Sequence, residues 1–221
     1  MGVLVAGGTG ALGQAVVAEL IASGYACAIT CVVERERRRA EEEFGGQASL
    51  IHADLLDPAG AEAAVEAVDD LEAVVNLVGG FATGGRVHET APEDFARILE
   101  LNLTPGFNLA RAAMPRMIER GGGAYVGVSA QSIWKPFSGA AGYITGKSAV
   151  LAFIRALDVE YKGDGIRCNA ILPSVIDTPA NREAMPDADY SKWVKASDIA
   201  KVVRFLVSED SRPTTGAAIP V

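Results

Sequence analysis

Hydrophobic and polar positions divide the chain into two alternating kinds of segment. One kind is short and almost continuously apolar over about 4–8 residues, which is typical of parallel strands covered on both faces. These candidate strands read, in order, VLVAG, ACAITCVV, ASLIHA, AVVNLVG, AYVGVS, IRCNAIL and AAIPV. The other kind is longer, with apolar residues at helical spacing: GQAVVAELIAS, ERRRAEEEF, PAGAEAAVEAVDD, the region from about 92 to 120, the region around 140–153, and ASDIAKVVRFLVS. Strand–helix alternation predicts a doubly wound α/β fold, with a mostly parallel seven-stranded sheet and helices on both faces.

Length and composition fit one domain spanning residues 1–221. The chain is 49% hydrophobic and 22% charged, and its ten prolines and 24 glycines are spread along it, so no linker divides it. The net charge of −8 disfavours nucleic acid or an anionic membrane as a partner. The start, MGVLVAGG, lacks the basic segment of a secretion signal, and no apolar run is long enough to span a membrane. We expect a cytoplasmic protein.

No metal site is expected. The three cysteines lie at no zinc or disulfide spacing, which indicates reduced thiols. His52 and His88 have no partner at metal-ligand spacing.

A glycine-rich turn follows the first predicted strand and precedes the first predicted helix. In VLVAGGTGALG, Gly8, Gly10 and Gly13 satisfy G-x-G-x-x-G, and Gly7, Gly10 and Gly13 satisfy G-x-x-G-x-x-G. Such a turn leaves the backbone bare, so that a pyrophosphate approaches amide groups at a helix N-terminus. The alternative is a plain tight turn. The position between strand and helix favours a Rossmann-type dinucleotide site.

The choice between NAD and NADP depends on where the second strand ends. An acid about 20 positions beyond the glycines favours NAD, and Glu34 lies at that distance. Arg35 and Arg37 are near the same place and are suited to a 2′-phosphate. If the strand ends near Cys31, no acid stands at its tip. We expect NADP or NAD, with a slight preference for NADP; the charged run also fits a solvated helix face.

The segment AAGYITGKSAVLAF, residues 140–153, places Tyr143 and Lys147 on one face of a helix. Positions i and i+4 lie about 5–6 Å apart at Cβ. A half-buried tyrosine beside a lysine with an exposed tip is one interpretation. The other is a proton-transferring phenol whose pKa is lowered by the ammonium.

The motifs together resemble the short-chain dehydrogenase/reductase family along essentially the whole chain. AGGTGALG resembles the family's T-G-x-x-x-G-x-G, with Ala6 and Ala11 in place of its threonine and middle glycine. VVNLVGG resembles the N-N-A-G segment, and HADLLD, ELNLTPG and LPSVIDTP fall at further family motifs. The resemblance implies an NAD(P)-dependent oxidoreductase that interconverts a carbonyl and a secondary alcohol of a small molecule.

The resemblance also implies site residues. Tyr143 would transfer the proton, Lys147 would hold the nicotinamide ribose and tune the phenol, and Asn102 would hold the lysine and a water. The implied cofactor-binding residues are Gly7, Thr9, Gly10, Ala11, Leu12, Gly13, Asp54, Leu55, Asn76, Gly79, Tyr143, Lys147, Pro173, Ile176 and Thr178.

The family's catalytic serine falls at Ala130, which is a departure. Ser129 is the first choice as a substitute and Ser132 the second, and a third reading is that neither contacts substrate. VSAQS looks closer to a sub-group resembling the dihydropteridine reductases. Two alternatives therefore stay open: a pterin-type reductase of C=N or C=C bonds, and a non-catalytic dinucleotide-binding sensor.

Two further features follow from the resemblance. A substrate lid is expected within about 174–195, and its brevity indicates a small or open substrate site. The region from about 92 to 120 and the Tyr143 helix resemble the family's dimerisation helices, so we expect a homodimer or homotetramer.

Overall fold

The computed structural model describes residues 1–221 and contains nine strands. They are β1 (Gly2–Ala6), β2 (Ala26–Cys31), β3 (Ala48–His52), β4 (Leu71–Asn76), β5 (Gly123–Val128), β6 (Ile166–Leu172), β7 (Ile176–Asp177), β8 (Val194–Lys195) and β9 (Ala218–Pro220). Seven of them form one sheet in the order β3-β2-β1-β4-β5-β6-β9, and every pairing in it is parallel. The predicted doubly wound α/β fold is confirmed.

The strands read as continuous apolar runs because both faces of the sheet are covered. Alternate residues of a strand point to opposite faces. In β1, Leu4 and Ala6 pack into one core, whereas Val3 and Val5 pack into the other.

The chain forms seven α-helices, six of which contribute to the two cores of the sheet. They are α1 (Ala11–Ala22), α2 (Glu34–Phe44), α3 (Pro58–Glu66), α4 (Pro92–Arg120), α5 (Ala141–Tyr161), α6 (Pro179–Ala184) and α7 (Ala196–Val207). Helices α3, α4 and α5 contribute to one core, and α1, α2 and α7 to the other. None of the helices combines the length and apolarity needed to cross a membrane.

Strand order reverses between β1 and β4. From β1 the chain builds outward through β2 to β3, and then returns to place β4 on the other side of β1. A crevice opens at such a switch point, beyond the carboxyl ends of the two strands. The glycine turn follows β1, so the fold places it at this crevice.

Two local features differ from the sequence pattern. Helix α3 ends at Glu66, earlier than the segment PAGAEAAVEAVDD indicates, because the chain turns sharply into β4 at Asp70, whose φ is +44°. Within 174–195, the short helix α6 is held by a two-stranded parallel ribbon in which β7 pairs with β8. No periodic pattern in the sequence predicted either strand of that ribbon.

Candidate active site

A cleft of about 490 Å³ opens at the carboxyl ends of β1, β2 and β4. Its lining combines the glycine turn, the tip of β2, the segment after β3 and the segment after β4. The lining residues are Gly7, Thr9, Gly10, Thr30, Cys31, Val32, Glu36, Ala53, Asp54, Leu55, Leu56, Leu77, Val78, Gly79, Leu101 and Pro105. The volume lies within the range of small-molecule and cofactor sites.

The glycine turn requires glycine at both of its ends. Gly7 has φ +75°, a conformation that other residues rarely adopt, and its carbonyl accepts a hydrogen bond from the Gly10 amide at 3.2 Å. At Gly13 a Cβ atom would collide with the Gly7 carbonyl oxygen, so helix α1 begins pressed against the turn. Gly10 is the N-cap and supplies no capping side chain.

The first amides of α1 therefore have no acceptor within the helix. They belong to Ala11, Leu12 and Gly13, three of the expected cofactor-binding residues, at the positive end of the helix dipole. A bare backbone, unpaired amides and a cleft of suitable size fit the pyrophosphate of a dinucleotide.

The tip of β2 carries no acid. The strand ends at Cys31, and Val32 is the next residue in the cleft wall. Glu34 is exposed and pairs with Arg38 at 3.2 Å, away from the lining. The first turn of α2 does place an acid in the cleft wall: Glu36, whose Oε2 accepts a hydrogen bond from Thr9 Oγ1 at 2.8 Å.

The segment after β3 forms the next part of the wall. Asp54 Oδ1 accepts a hydrogen bond from the Leu56 amide at 2.9 Å, which fixes the turn, and Leu55 is buried in the same lining. Asp54 and Leu55 are both among the residues that the family resemblance implies for cofactor binding, and both line the cleft.

The segment after β4 is braced by two buried asparagines. Asn76 Oδ1 accepts from the Val78 amide at 3.1 Å. Asn102 Oδ1 accepts from the Gly80 amide at 3.3 Å, and Asn102 Nδ2 donates to the carbonyls of Gly80 at 3.1 Å and Ile98 at 2.8 Å. The side chain of Asn102 thus ties α4 to the turn that follows β4.

Gly79 is the point where this turn meets α5. A Cβ atom there would lie 2.7 Å from Asn102 Oδ1 and 2.9 Å from Lys147 Nζ. The side-chain amide of Asn102 and the amine of Lys147 therefore pack against the same glycine, and a larger residue there would displace one of these two groups.

Lys147 is only 7% exposed and takes part in no salt bridge. Its Nζ donates to the Val128 carbonyl at 3.0 Å. Burial lowers its pKa from 10.5 to about 8, because water no longer solvates the ammonium. The side chain is still charged at neutral pH.

Tyr143 lies one helical turn before Lys147 and is half-buried. Burial raises the pKa of its phenol, and the neighbouring hydroxyl of Ser132 counteracts part of the rise. The sequence interpretation that Lys147 lowers this pKa is wrong for the protein alone, since the amine is directed to the Val128 carbonyl. The phenol is therefore protonated at neutral pH.

The two candidate serines have different surroundings. Ser129 is 2% exposed, and its hydroxyl donates to the Lys147 carbonyl at 2.7 Å. A single helical turn, Gln131–Ile133, follows β5 and brings Ser132 beside Tyr143. Ser132 Oγ is buried and has no partner in good hydrogen-bond geometry.

The segment LPSVIDTP leads into the 174–195 region. The Pro173 carbonyl accepts from the Gln131 amide at 3.0 Å, and Ile176 pairs with Val194 in the ribbon. Thr178 caps α6 by accepting from the Asn181 amide at 3.2 Å. None of the three lines the 490 Å³ cleft.

Two residues of the site were not expected from the sequence. The ring of Phe81 packs edge-on against Tyr143, with centroids 4.9 Å apart, although Phe81 is 68% exposed. Glu36 was hidden in a charged run that also fits a solvated helix. The only sequence signal for Phe81 was its position directly after VVNLVGG. No cluster of three or more His, Cys, Asp or Glu side chains has the arrangement of a metal site.

Known proteins share this arrangement of elements. The model of the short chain dehydrogenase family matches residues 2–189. The chain is 29% identical to the 2-(R)-hydroxypropyl-CoM dehydrogenase of Xanthobacter autotrophicus, over 85% of this chain and 81% of that relative. It is 27% identical to a 3beta-hydroxysteroid dehydrogenase of Mediterraneibacter gnavus, over 97% of this chain and 84% of that relative.

A solved structure gives the same result. The short-chain type dehydrogenase/reductase from Mycobacterium ulcerans superimposes with a TM-score of 0.94 and 25% identity, covering 100% of this chain and 87% of that one. The family resemblance drawn from the motifs is confirmed. The chain belongs to the short-chain dehydrogenase/reductase family of oxidoreductases.

Proposed function

We propose that this protein is an NAD(P)-dependent oxidoreductase acting on a carbonyl or secondary alcohol of a small molecule. One observation carries the proposal: the protonated phenol of Tyr143 has the buried hydroxyl of Ser132 beside it and the buried ammonium of Lys147 one helical turn away. A buried hydroxyl without a partner in good hydrogen-bond geometry and a buried cation without a counter-ion both cost free energy of folding. Their presence around one phenol supports a catalytic role.

The dinucleotide would lie across the cleft, with its pyrophosphate at the glycine turn. Ala11, Leu12 and Gly13 would hold the phosphates through backbone amides, and Asp54 and Leu55 would border the adenine. Asn76, Gly79, Pro173, Ile176 and Thr178 would border the nicotinamide half, as the family resemblance implies. When bound, the nicotinamide supplies or accepts the hydride.

Tyr143 supplies the proton. In the reductive direction its hydroxyl donates to the carbonyl oxygen of the substrate, and a phenol with a raised pKa is in the protonated state that this requires. In the oxidative direction the phenol must first lose that proton, so oxidation is favoured at alkaline pH.

Lys147 and Asn102 position the groups around Tyr143. The ammonium of Lys147 lies against Gly79, within reach of a ribose bound at the end of β4. Asn102 fixes the turn that carries Gly79 and is therefore a positioning residue. The Nδ2 group of Asn102 already donates both of its hydrogens to backbone carbonyls, so the water that the resemblance assigns to Asn102 would donate to Oδ1, which has one lone pair left.

We infer that Ser132, rather than Ser129, orients the substrate carbonyl. Ser132 Oγ is the hydroxyl beside Tyr143 and has donor capacity to spare. The hydroxyl of Ser129 is already used by the Lys147 carbonyl, so Ser129 supports α5. Because a serine is present at the phenol, the missing family serine at Ala130 gives no reason to expect loss of turnover.

The substrate class is set by the rim of the site. Phe81 beside Tyr143 offers an apolar surface to the substrate. We propose that the 174–195 segment forms the lid and that its short ribbon leaves room for a small molecule. The two relatives are named for chemically different substrates, so their names do not extend to a substrate for this chain.

A homodimer through α4 and α5 is part of the proposal. Phe107, Ile118 and Val159 on these helices are exposed, and Phe107 packs near Phe153 beside a groove of about 320 Å³. Exposed apolar residues clustered on neighbouring helices mark a contact with another protein surface.

The proposed function is tested by a carbonyl panel with both reduced dinucleotides. The panel contains ketones, aldehydes and a quinonoid pterin, and turnover is followed by NAD(P)H absorbance. With any accepted carbonyl, Ser132→Ala is expected to lower kcat about 100-fold, in the range for one lost donor to a reacting oxygen. Ser129→Ala should have a smaller effect on kcat and should lower thermal stability, because it removes the buried hydrogen bond that ties the end of β5 to helix α5.

Three outcomes would contradict the proposal. Absence of turnover with the whole panel would favour a sensor, and turnover confined to the pterin would favour a C=N or C=C reductase. A larger loss of kcat from Ser129→Ala than from Ser132→Ala would reverse the assignment of the serines.

A further inference from the structure

The wall of the cleft carries negative charge and no positive charge. Among its lining residues the ionisable side chains are those of Glu36, Asp54 and the buried Cys31, and there is no lysine or arginine. A 2′-phosphate would add a charge of about −2 to this wall, where no lysine or arginine is among the lining residues.

Arg37 is the α2 arginine that acts on this wall: burial raises the pKa of the Cys31 thiol, and the charge of Arg37 offsets part of that rise. Arg37 pairs with Glu41 at 3.1 Å and Arg38 pairs with Glu34 at 3.2 Å, each along the helix surface. None of the α2 arginines lines the cleft, Arg35 included.

Glu36 is held at the junction of the glycine turn and the tip of β2. Its Oε2 accepts from Thr9 Oγ1 at 2.8 Å, a contact between residues 27 positions apart in the chain. The residue is in the first turn of α2, where the helix dipole favours a negative charge. Only one carboxylate oxygen is used by Thr9, and Oε1 is left to accept another hydrogen bond.

We propose that Glu36 selects NAD(H) over NADP(H), in place of the acid that the β2 tip lacks. The inference rests on the proposed function, because it concerns the same cofactor. A carboxylate accepts hydrogen bonds from a ribose diol and repels a phosphate dianion. The slight preference for NADP drawn from the sequence depended on Arg35 and Arg37; neither lines the cleft, and the charge of Arg37 is paired with Glu41.

The test measures the dissociation constants of NADH and NADPH by fluorescence, since the two nucleotides differ only in the 2′-phosphate. Wild type is expected to bind NADH at least about tenfold more tightly, and Glu36→Gln to reduce this ratio about tenfold, the size of effect expected for one like charge near a surface. Glu34→Gln is the matched control, because Glu34 lies in the same turn of α2 and carries the same charge outside the cleft. It should leave the ratio unchanged.

Salt provides a second readout. Raising the ionic strength should lower the ratio of the NADPH to the NADH dissociation constant in wild type, because salt screens the repulsion between Glu36 and the 2′-phosphate at a partly exposed site. The same change should have less effect on this ratio in Glu36→Gln. If Glu36→Gln does not fold, Thr9→Val removes the hydroxyl that fixes the carboxylate and is expected to move the ratio in the same direction.

The outcomes separate this inference from the proposed function. Tighter binding of NADPH by wild type, or an equal ratio in wild type and Glu36→Gln, overturns the role of Glu36 while leaving the enzyme intact. Failure of wild type to bind either nucleotide overturns the proposed function, and the role of Glu36 with it.

Discussion

Replacing Lys147 by methionine is expected to stabilise the protein at neutral pH. Burial lowers the pKa of this lysine from 10.5 to about 8. That difference corresponds to about 3 kcal/mol by which the folded protein disfavours the ammonium. Methionine has a similar volume but loses the hydrogen bond to the Val128 carbonyl, which contributes about 1 kcal/mol. The expected net gain in the free energy of unfolding is about 2 kcal/mol.

The gain should depend on pH with a definite sign. Below pH 8 the lysine is charged in both the folded and the unfolded state, so the whole cost is present. Between pH 8 and 10.5 the unfolded state binds more protons than the folded state, so wild-type stability rises with pH through this window. Above 10.5 the lysine is neutral in both states and the cost disappears. The advantage of Lys147→Met should therefore be largest at pH 7 and should shrink towards pH 10.

The assay is urea unfolding of wild type and Lys147→Met at pH 7 and pH 10, without nucleotide. Other groups titrate in this range, but they are common to both proteins and cancel in the difference. Lys162→Met is the control, because Lys162 is exposed and its replacement should change stability by less than about 0.5 kcal/mol. A lower stability of Lys147→Met at pH 7, or a gain that does not change with pH, would refute the claim that a desolvated ammonium is held at this site.

Two further predictions concern the cleft. Gly13→Ala should abolish nucleotide binding and lower the melting temperature, because the new methyl group collides with the Gly7 carbonyl. Gly163→Ala should do neither, because a Cβ atom there meets nothing within 4 Å. Unchanged NADH affinity in Gly13→Ala would contradict the turn geometry. For carbonyl reduction, kcat/KM should fall as pH rises through about 8, since Lys147 loses its proton in the free enzyme. A kcat/KM that stays flat to pH 9.5 would show that the charge of Lys147 is not needed.

The fold was predictable because its determinants are local. Parallel strands covered on both faces must be apolar at almost every position, and β1 and β4 are buried throughout. The glycines of the first turn were equally readable, because a positive φ at Gly7 and a close approach at Gly13 allow few other residues. Each of these requirements concerns a short continuous stretch of the sequence.

The parts that were missed depend on contacts between distant segments. Glu36 meets Thr9 only because α2 packs beside the glycine turn, and in the sequence it is one acid among several. Phe81 lies in the loop after β4 and contacts Tyr143 on α5, 62 positions later in the chain. Contacts of this kind produce no periodic pattern of hydrophobic residues in the sequence.

Which of the two serines lies beside Tyr143 depends on the direction that the backbone takes after β5. Spacing from Tyr143 favoured Ser129, but Ser129 still follows the sheet, where its amide bonds to Ile171 and its hydroxyl is buried under α5. One turn of helix after it redirects the chain and brings Ser132 to the phenol. The number of residues between each serine and Tyr143 does not reveal that turn.

The central claim is that the phenol of Tyr143 transfers the proton to or from the substrate. Tyr143→Phe removes that hydroxyl and keeps the ring that packs against Phe81. With a substrate found for wild type, we measure turnover and, in the same preparation, NADH and NADPH affinity. The account predicts that nucleotide affinity is kept while turnover falls at least about 100-fold, as expected for lost acid–base catalysis. Turnover near the wild-type level in Tyr143→Phe would contradict it.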